Sequence, residues 1–360
     1  MNIHKDKPSI FREGEYKNED LQHFSKTHQI SRVINVYRQQ LIEIFFILNP
    51  QYKKADNRKE LFNRFLRSRR SFGRFPGGNW IYYPWNGYLV HMVTEQDYYT
   101  LVTNRNRELV TPEEQKKLVN FVVGIAGLSV GSHVATCLAQ SGISWKMNLA
   151  EYDILDTTNL NRMRAKLFDL QNNKIDIVAQ SIWETNPYIS FEKFSKGIDP
   201  SNIQNFLCGK QKVHLVFEII DNFEMKIVLR KKARELGIPV ISFASLGDSI
   251  LLDIERYDLD PHLEIFNGRS REAVRQIELY PDLNDHLKNK YAVELVGKEN
   301  IPARAIESVK EIGHTLSGRP QLMSTVTIAG GIAAYLTRRI ALGEPVKSGR
   351  THVKFSDCFL

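Results

Sequence analysis

The sequence predicts an α/β fold, a doubly wound and mainly parallel sheet with helices on both faces, together with a small α+β module at the N-terminus. Three observations predict it. The apolar run FVVGIAG leads into the turn GLSVGS and then into a helical pattern. A second β-rich run ends at Asp153, and a third, LVFEII, ends before Asp221. Apolar strands that alternate with helical patterns are typical of βαβ units with parallel strands.

The first hundred residues have a different pattern. Residues 1–30 are polar and are expected to be loosely ordered. The remainder is predicted to form two helices and then a hairpin with a tight turn at Asn86-Gly87: 31–48, 58–70 and 79–94. We therefore predict a small α+β module over residues 1–103. Further along, Thr111 followed by Pro112 and Glu114 indicates the start of a short helix.

The formal net charge of +8 is concentrated near the N-terminus, since residues 1–75 hold 16 Lys and Arg against 8 Asp and Glu. The densest part, Arg58–Arg70, places apolar residues on one helical face and arginines on the other. It is either a solvated helix docked on the core or a surface for an acidic partner or nucleic acid. Nucleic acid is not favoured, because no nucleic-acid-binding module accompanies the charge.

Composition excludes several classes. With 42% hydrophobic and 25% charged residues the chain resembles an ordinary soluble protein. Its three cysteines form no CxxC pair, so we expect neither a disulfide framework nor zinc. No apolar signal segment is present at the N-terminus. The charge-free run 320–337 contains threonines and a Gly-Gly pair, so it is predicted to be a buried helix rather than a membrane span. These features predict a cytoplasmic protein without a membrane partner.

The turn after the first strand predicts a Rossmann-like phosphate site. Gly127 and Gly131 allow backbone N–H groups to approach a phosphate, and Ser129 adds a hydroxyl between them. Asp153 lies 22 residues after Gly131, where a carboxylate binds ribose hydroxyls. His133, in the following helical turn, is more consistent with a packed histidine than with a phosphate ligand. An NAD- or FAD-binding oxidoreductase would show the same features.

A further set of polar residues is more specific. Asn159, Arg162 and Lys174 follow Asp153 in quick succession, and Asp221 ends a later strand; upstream lies NRNRELVTPEEQKKL. Together these motifs resemble the ATP-adenylation site of the ThiF/MoeB/HesA family, the bacterial relatives of ubiquitin-activating enzymes, over about 104–343. The resemblance implies a nucleotide-binding adenylation domain over 104–345, followed by a C-terminal tail over 346–360.

The resemblance also implies an activity. Such an enzyme uses ATP and Mg²⁺ to activate a carboxylate as an acyl-adenylate, here the C-terminus of a ubiquitin-like protein or a peptide, and acts as a homodimer. Asn159 would hydrogen-bond the nucleotide. Arg107 would reach across the dimer interface to the partner's ATP.

The resemblance also assigns roles at the adenylation site to Arg162, Lys174 and Asp221, and physical chemistry supports these three. The planar cation of Arg162 suits phosphate oxygens. Lys174 precedes a predicted helix, where a cation opposes the helix dipole unless an anion binds there. Asp221 lies at the carboxyl end of a strand and is our predicted magnesium ligand, because Mg²⁺ prefers one or two carboxylates plus phosphates.

The chain departs from the family pattern in its glycine turn, in lacking a thioester-forming cysteine and in lacking the zinc-binding CxxC pairs, and one single residue also differs. The glycine turn is one residue shorter than usual, and Met163 replaces the usual glutamine. No cysteine lies between Cys208 and Cys358, in particular after VISFAS, where relatives carry a thioester-forming cysteine. We therefore expect activation without a thioester, and structural roles for Cys137, Cys208 and Cys358. A catalytically silent protein-binding relative is the remaining alternative.

Overall fold

The computed structural model describes residues 6–71, 77–279, 285–297 and 301–359. The chain forms two compact units. The first is Met1–Gln115 with Trp183–Tyr188, and the second is Lys116–Ile182 with Ile189–Leu360. The division lies at Gln115, whereas the sequence predicts boundaries at 103 and 345.

The first unit contains a four-stranded sheet in the order β1-β3-β4-β2. Its strands and helices are β1 Ser9–Phe11, α1 Asn18–Thr27, β2 Arg32–Asn35, α2 Tyr37–Leu48, α3 Arg58–Ser71, β3 Asn79–Tyr83, β4 Tyr88–Met92 and α4 Glu95–Thr103. The predicted hairpin is confirmed, since β3 and β4 pair antiparallel. Its connection spans the four residues between Tyr83 and Tyr88 rather than a two-residue turn. Pro84, which has no N–H to donate, cannot extend the ladder.

Two predictions for the first unit were wrong. Residues 1–30 were expected to be loosely ordered. Residues 1–5 lie outside the described residues, but among the rest β1 pairs with β3 and α1 packs Phe24 into a buried cluster. The helix predicted over 31–48 begins only at Tyr37, because Arg32–Asn35 pair with β4 in parallel. Val33 and Ile34 are β-branched, so the extended conformation suits them once a sheet edge is available.

The predicted amphipathic helix of the basic segment is confirmed as α3. Phe62 is buried, and it packs with Leu41, Ile44 and Phe45 of α2. Burial of this apolar stripe holds the helix on the unit. One of its arginines, Arg69, donates two hydrogen bonds to Asp97 at 2.8 and 2.7 Å.

The second unit contains a seven-stranded sheet in the order β11-β10-β9-β8-β5-β6-β7. The strands are β5 Val123–Ala126, β6 Lys146–Ala150, β7 Ser190–Phe194, β8 Leu215–Glu218, β9 Val240–Ser245, β10 Ser249–Glu255 and β11 Gly349–Lys354. Strands β5 to β9 are parallel, and β10 and β11 are antiparallel. The predicted doubly wound, mainly parallel sheet is confirmed.

Helices surround this sheet. They are α5 Pro112–Asn120, which contains the division between the units, α6 Gly131–Gln140, α7 Lys174–Thr185, α8 Ile203–Cys208, α9 Phe223–Glu235, α10 Arg271–Leu279, α11 Asp285–Val296, α12 Ala303–Glu311, α13 Met323–Ala341 and the short α14 Ser356–Phe359. The predicted start of α5 is confirmed by a reciprocal cap, in which Thr111 N–H bonds Glu114 Oε2 at 2.8 Å and Glu114 N–H bonds Thr111 Oγ1 at 3.2 Å.

Helices α6 and α13 pack closely. A Cβ atom at Gly330 of α13 would lie 2.8 Å from the His133 carbonyl oxygen of α6, so glycine permits the contact. From Met323 onward the charge-free run therefore belongs to a packed helix, as predicted, with Val326, Ala329 and Ala333 buried. Within the described ranges, no helix combines the length and apolarity that crossing a membrane requires.

The end of the chain differs from the predicted tail. Residues Gly349–Lys354 form β11, the edge strand beside β10. After VISFAS, β9 turns back directly into β10 through Leu246–Asp248. Both strands of this hairpin have neighbours on each side, which satisfies their backbone hydrogen bonds.

Candidate functional site

A cavity of about 420 Å³ lies at the carboxyl ends of the parallel strands of the second unit. Five residues predicted from the sequence line it together: Ser129, Asp153, Arg162, Lys174 and Asp221. Parallel strands direct their carboxyl ends to one edge of the sheet, and this arrangement brings distant segments of sequence together. Their roles in nucleotide binding remain predictions.

The glycine turn has the shape that a close backbone approach requires. Gly127 has a φ of +91°, and a Cβ atom there would lie 2.2 Å from the Ile219 carbonyl oxygen. No other residue type fits this position without moving the end of β8. Helix α6 begins at Gly131, directly after the turn. N–H groups at the start of a helix that lack a partner can donate to an anion.

Glu151 organises this turn, and the sequence analysis missed it. Its Oε2 accepts the Leu128 N–H at 2.8 Å, and its Oε1 accepts the N–H groups of Tyr152 and Asp153 at 2.9 and 3.0 Å. One buried carboxylate thereby joins the turn after β5 to the end of β6. An acidic residue inside the apolar run before Asp153 was the available signal, because buried acids need partners.

Asp153 and Lys174 form an ion pair. Lys174 Nζ lies 2.8 Å from Asp153 Oδ2, and the Lys174 backbone N–H bonds the Asp153 carbonyl oxygen at 2.9 Å. The Lys174 side chain is 7% exposed and that of Asp153 is 48% exposed. Lys174 is also the first residue of α7. The carboxylate of Asp153 therefore compensates for a cation at a helix N-terminus.

Arg162 is held in place from several directions. Its Nη1 donates to the Thr158 carbonyl oxygen at 3.0 Å and to Asn161 Oδ1 at 2.9 Å. His133 Nε2 lies 3.0 Å from the Arg162 carbonyl oxygen, and burial lowers the pKa of this histidine. His133 is thus packed in the helix, as the sequence favoured.

Asn159 shapes the loop that carries Arg162. Its Oδ1 accepts the Asp156 N–H at 3.1 Å, and its carbonyl oxygen accepts the Arg162 N–H at 3.0 Å. Asn159 is not among the described residues that line the cavity. Direct contact between Asn159 and a nucleotide stays a prediction.

Asp221 is exposed and follows a buried charge network that the sequence analysis also missed. Glu218 accepts hydrogen bonds from Lys226 Nζ at 2.7 Å, from Arg230 Nη1 at 2.5 Å and from the Ile220 N–H at 3.1 Å. Burial alone would raise the pKa of Glu218, but the two cations outweigh burial and lower it. Glu218 therefore fixes the turn that presents Asp221. The acid within the apolar run LVFEII was its signal.

The donors of the cavity fit a polyanion. Ser129 Oγ and Arg162 Nε are both buried, and neither finds a hydrogen-bond partner within the described part of the chain. Buried donors without partners are unfavourable unless a ligand supplies acceptors. No cluster of three or more His, Cys, Asp or Glu side chains that could hold a metal occurs among the described residues. Any Mg²⁺ would thus take most of its ligands from phosphates and water.

The remaining candidates lie elsewhere. Arg107 belongs to the first unit, after a short 3-10 turn at Asn104–Asn106. Cys137 and Cys208 are free thiols of intermediate burial. The side chain of Cys358 lies outside the described residues.

The sequence is similar to those of several known proteins. A model of the ThiF family matches residues 103–353. The chain is 34% identical over 277 residues to "Uncharacterized protein MT1398" of Mycobacterium tuberculosis, covering 77% of this chain and 38% of that protein. It is 29% identical over 135 residues to "Ubiquitin-like modifier-activating enzyme 5" of Xenopus laevis, covering 35% of this chain and 34% of that one.

A solved structure shares the fold. The crystal structure of PaaA has a TM-score of 0.51 and 18% identity, covering 72% of this chain and 77% of that one. Since the identity is low, this likeness concerns the fold alone. The chain spans less than two fifths of the length of both curated relatives.

Proposed function

This chain belongs to the ThiF family, and from that premise we propose that it is an ATP-dependent adenylyltransferase that activates a carboxylate as an acyl-adenylate. One observation carries the proposal: a single cavity collects Ser129, Asp153, Arg162, Lys174 and Asp221. In an oxidoreductase, these two cations and two carboxylates would have no common function. The substrate we propose is the C-terminus of a small protein or peptide, in keeping with the name of the Xenopus laevis relative.

Each group has a task in holding ATP. Asp153 accepts hydrogen bonds from the ribose hydroxyls, and the ion pair with Lys174 orients this carboxylate. The N-terminus of α6, with Ser129 Oγ, donates to the phosphates. Arg162 Nε adds a charged donor from the opposite loop. All of these groups are fixed by the protein before ATP binds, so little reorganisation accompanies binding.

The reaction joins two anions, so the protein must screen charge. A carboxylate oxygen of the substrate attacks the α-phosphorus, a new P–O bond forms, and the bond to the bridging oxygen breaks as pyrophosphate leaves. Mg²⁺, when bound, would neutralise charge on the phosphates. Asp221 would hold it, and Glu218 positions Asp221. Arg162 and Lys174 stabilise the additional charge of the transition state.

Three further features complete the proposal. The acyl-adenylate passes directly to an external nucleophile, because the sequence has no cysteine between 208 and 358. The enzyme acts as a homodimer in the cytoplasm. Arg107 serves the partner subunit's ATP, an assignment that rests on the family resemblance.

Calorimetric titration with ATP-Mg²⁺, NAD⁺, NADH and FAD tests the proposal. We expect ATP-Mg²⁺ to bind and the other three not to bind. Asp153→Ala and Asp221→Asn should lose most of the ATP-Mg²⁺ affinity, whereas Glu235→Gln, an exposed site on α9, should retain it. Unchanged ATP-Mg²⁺ binding in both aspartate variants, or tighter binding of a dinucleotide, would overturn the proposal. ATP binding without turnover of any carboxylate would favour the alternative of a catalytically silent, protein-binding relative. The shortened glycine turn is the feature that is consistent with that alternative.

A further inference from the structure

The turn that presents Asp221 is tied to buried charges that lie further from the cavity. Glu218 ends β8, and its Oε1 accepts the N–H of Ile220, the residue before Asp221, at 3.1 Å. The other oxygen, Oε2, accepts a hydrogen bond from Arg230 Nη1 of α9 at 2.5 Å. The side chains of Glu218 and Arg230 are 0% and 1% exposed, so water cannot replace either partner. The direction of the Glu218 carboxylate therefore depends on where Arg230 lies.

Arg230 is held by groups from three other segments. Its Nε donates to Glu255 Oε2 of β10 at 2.8 Å, and its Nη2 donates to Ser242 Oγ of β9 at 3.1 Å. The ring of Phe266 lies over the guanidinium, with 4.1 Å between Cζ and the ring centroid. A planar guanidinium that has its donors bound on different sides and an aromatic ring over one face has little freedom to move.

Glu255 anchors the far end of this network. Its side chain is 0% exposed, and its Oε1 accepts the Tyr257 hydroxyl at 2.7 Å and the Phe266 N–H at 2.6 Å. Phe266 and Asn267 have φ values of +56° and +54°, a left-handed conformation that residues with a Cβ rarely adopt. Such strain persists only where surrounding contacts hold it. Glu255 and Arg230 thus hold this turn, and the turn keeps the Phe266 ring over Arg230.

The buried charges balance only as a set. Glu218 and Glu255 carry two negative charges, and Arg230 and Lys226 carry two positive ones, with Lys226 Nζ 2.7 Å from Glu218 Oε1. Removing one partner leaves a buried charge unpaired, which is costly, whereas replacing two opposite buried charges together can be neutral. The network can therefore be interrupted without leaving an unpaired charge.

We propose that Arg230 is a positioning residue for Asp221. Because Asp221 is exposed, packing does not fix its place and the turn must do so. Arg230 orients Glu218, and Glu218 fixes the turn, so that the Asp221 carboxylate is ready to bind Mg²⁺ together with ATP. The part of this inference that concerns Mg²⁺ rests on the proposed function, whereas the part that concerns the turn does not.

A paired substitution isolates this role. Arg230→Met with Glu255→Gln, which we call the network variant, removes one positive and one negative buried charge. The amide oxygen that Glu255→Gln leaves can accept the same two hydrogen bonds as the carboxylate oxygen did. Lys232→Gln with Glu235→Gln is the matched control, because it removes a surface ion pair from the same helix.

Hydrogen–deuterium exchange of the protein without ligands measures the turn directly. In the network variant, we expect the protected amide of the peptide 216–224 to exchange about tenfold faster than in the control, because the Ile220 N–H loses its oriented acceptor. Amides of β5 should exchange equally in both. Unchanged exchange in the peptide 216–224 would overturn the inference, whatever the result with ATP.

Calorimetric titration with ATP, in EDTA and in excess Mg²⁺, measures the consequence for the metal. We expect Mg²⁺ to raise the ATP affinity of the control, and the network variant to lose about tenfold of that increase, as is typical when a group behind a metal ligand is removed. The affinity for ATP in EDTA should be equal. A loss in EDTA as well would mean that Arg230 contacts the nucleotide, and an undiminished effect of Mg²⁺ would mean that it does not serve Asp221; either result overturns the inference.

A second variant covers the case in which the network variant does not fold. Phe266→Leu keeps every charge and removes only the ring over Arg230, so it should change both measurements in the same direction. If the network variant is unfolded and Phe266→Leu changes neither measurement, the inference fails. Absence of ATP binding by the control would overturn the proposed function, and exchange of the peptide 216–224 would still decide whether Arg230 fixes the turn.

Discussion

Asp153→Asn changes one oxygen of the side chain that both lines the cavity and neutralises Lys174. We expect this variant to lose stability as well as ATP affinity. Removing one partner from a fully buried ion pair costs about 3–5 kcal/mol. Because the Asp153 side chain is 48% exposed, solvent screens part of the interaction, and we expect a loss of about 2 kcal/mol. In a domain of 150–250 residues, that corresponds to a decrease in Tm of about 4–8 °C.

A second substitution should separate stability from binding. In Asp153→Asn with Lys174→Met, the unpaired ammonium is gone and an aliphatic side chain fills the site, so we expect at least half of the lost Tm to return. The affinity for ATP-Mg²⁺ should remain low, because the ribose acceptor and the nearby cation are both absent. Scanning calorimetry measures the Tm of the second unit, and calorimetric titration measures the affinity.

Asp221→Asn is the matched control. Asp221 is exposed, so its replacement should change Tm by less than about 2 °C while lowering ATP-Mg²⁺ affinity. If Asp153→Asn were as stable as Asp221→Asn, the ion pair would have no structural role. If the double variant regained ATP affinity, Asp153 would not be the ribose ligand.

Four further outcomes are expected. Glu218→Gln should lower Tm by several degrees at pH 7. The pKa of Glu218 is lowered in the folded protein, so its ionised form stabilises the fold fully above the pKa of an unfolded glutamate, about 4.3, and this stabilisation is lost as the pH falls through the lower pKa of the folded state. The difference in Tm between the two proteins should therefore shrink below about pH 4. Asn161→Ala should weaken ATP binding about tenfold with little change in Tm, because it loosens Arg162. Arg107→Ala and Lys174→Ala should each be inactive in exchange yet recover part of the activity when mixed; an active Arg107→Ala homodimer would contradict action across subunits. Replacing all three cysteines with serine should preserve exchange and product formation, and loss of product alone would implicate a thiol.

The parallel core could be predicted from the sequence because its signals are local. Each of the strands β5, β6 and β8 is a short apolar run that ends at a glycine turn or an acidic residue, and such runs are typical of buried strands. The cavity residues follow from the same pattern, since the strand ends meet at one edge. A resemblance to a known family added Arg162 and Lys174.

The other elements depend on partners distant in sequence. Strand β2 forms only because β4 offers an edge, and β11 only because β10 does. No local pattern reports the existence of such an edge. Glu151 and Glu218 were missed for a related reason: their tasks consist of hydrogen bonds to backbone groups and cations whose positions the fold determines.

The connection after β9 bears on how the proposed acyl-adenylate would react further. The chain returns at once as β10, so Leu246–Asp248 are the only residues between the two strands, and none of them is a cysteine. Cys137 lies in α6, where burial raises the pKa of its thiol. A thiol with a raised pKa is a weak nucleophile at neutral pH, because the thiolate is the reactive form. The proposed acyl-adenylate therefore has no suitable thiol among these groups, and direct attack by an external nucleophile is the transfer that this arrangement favours.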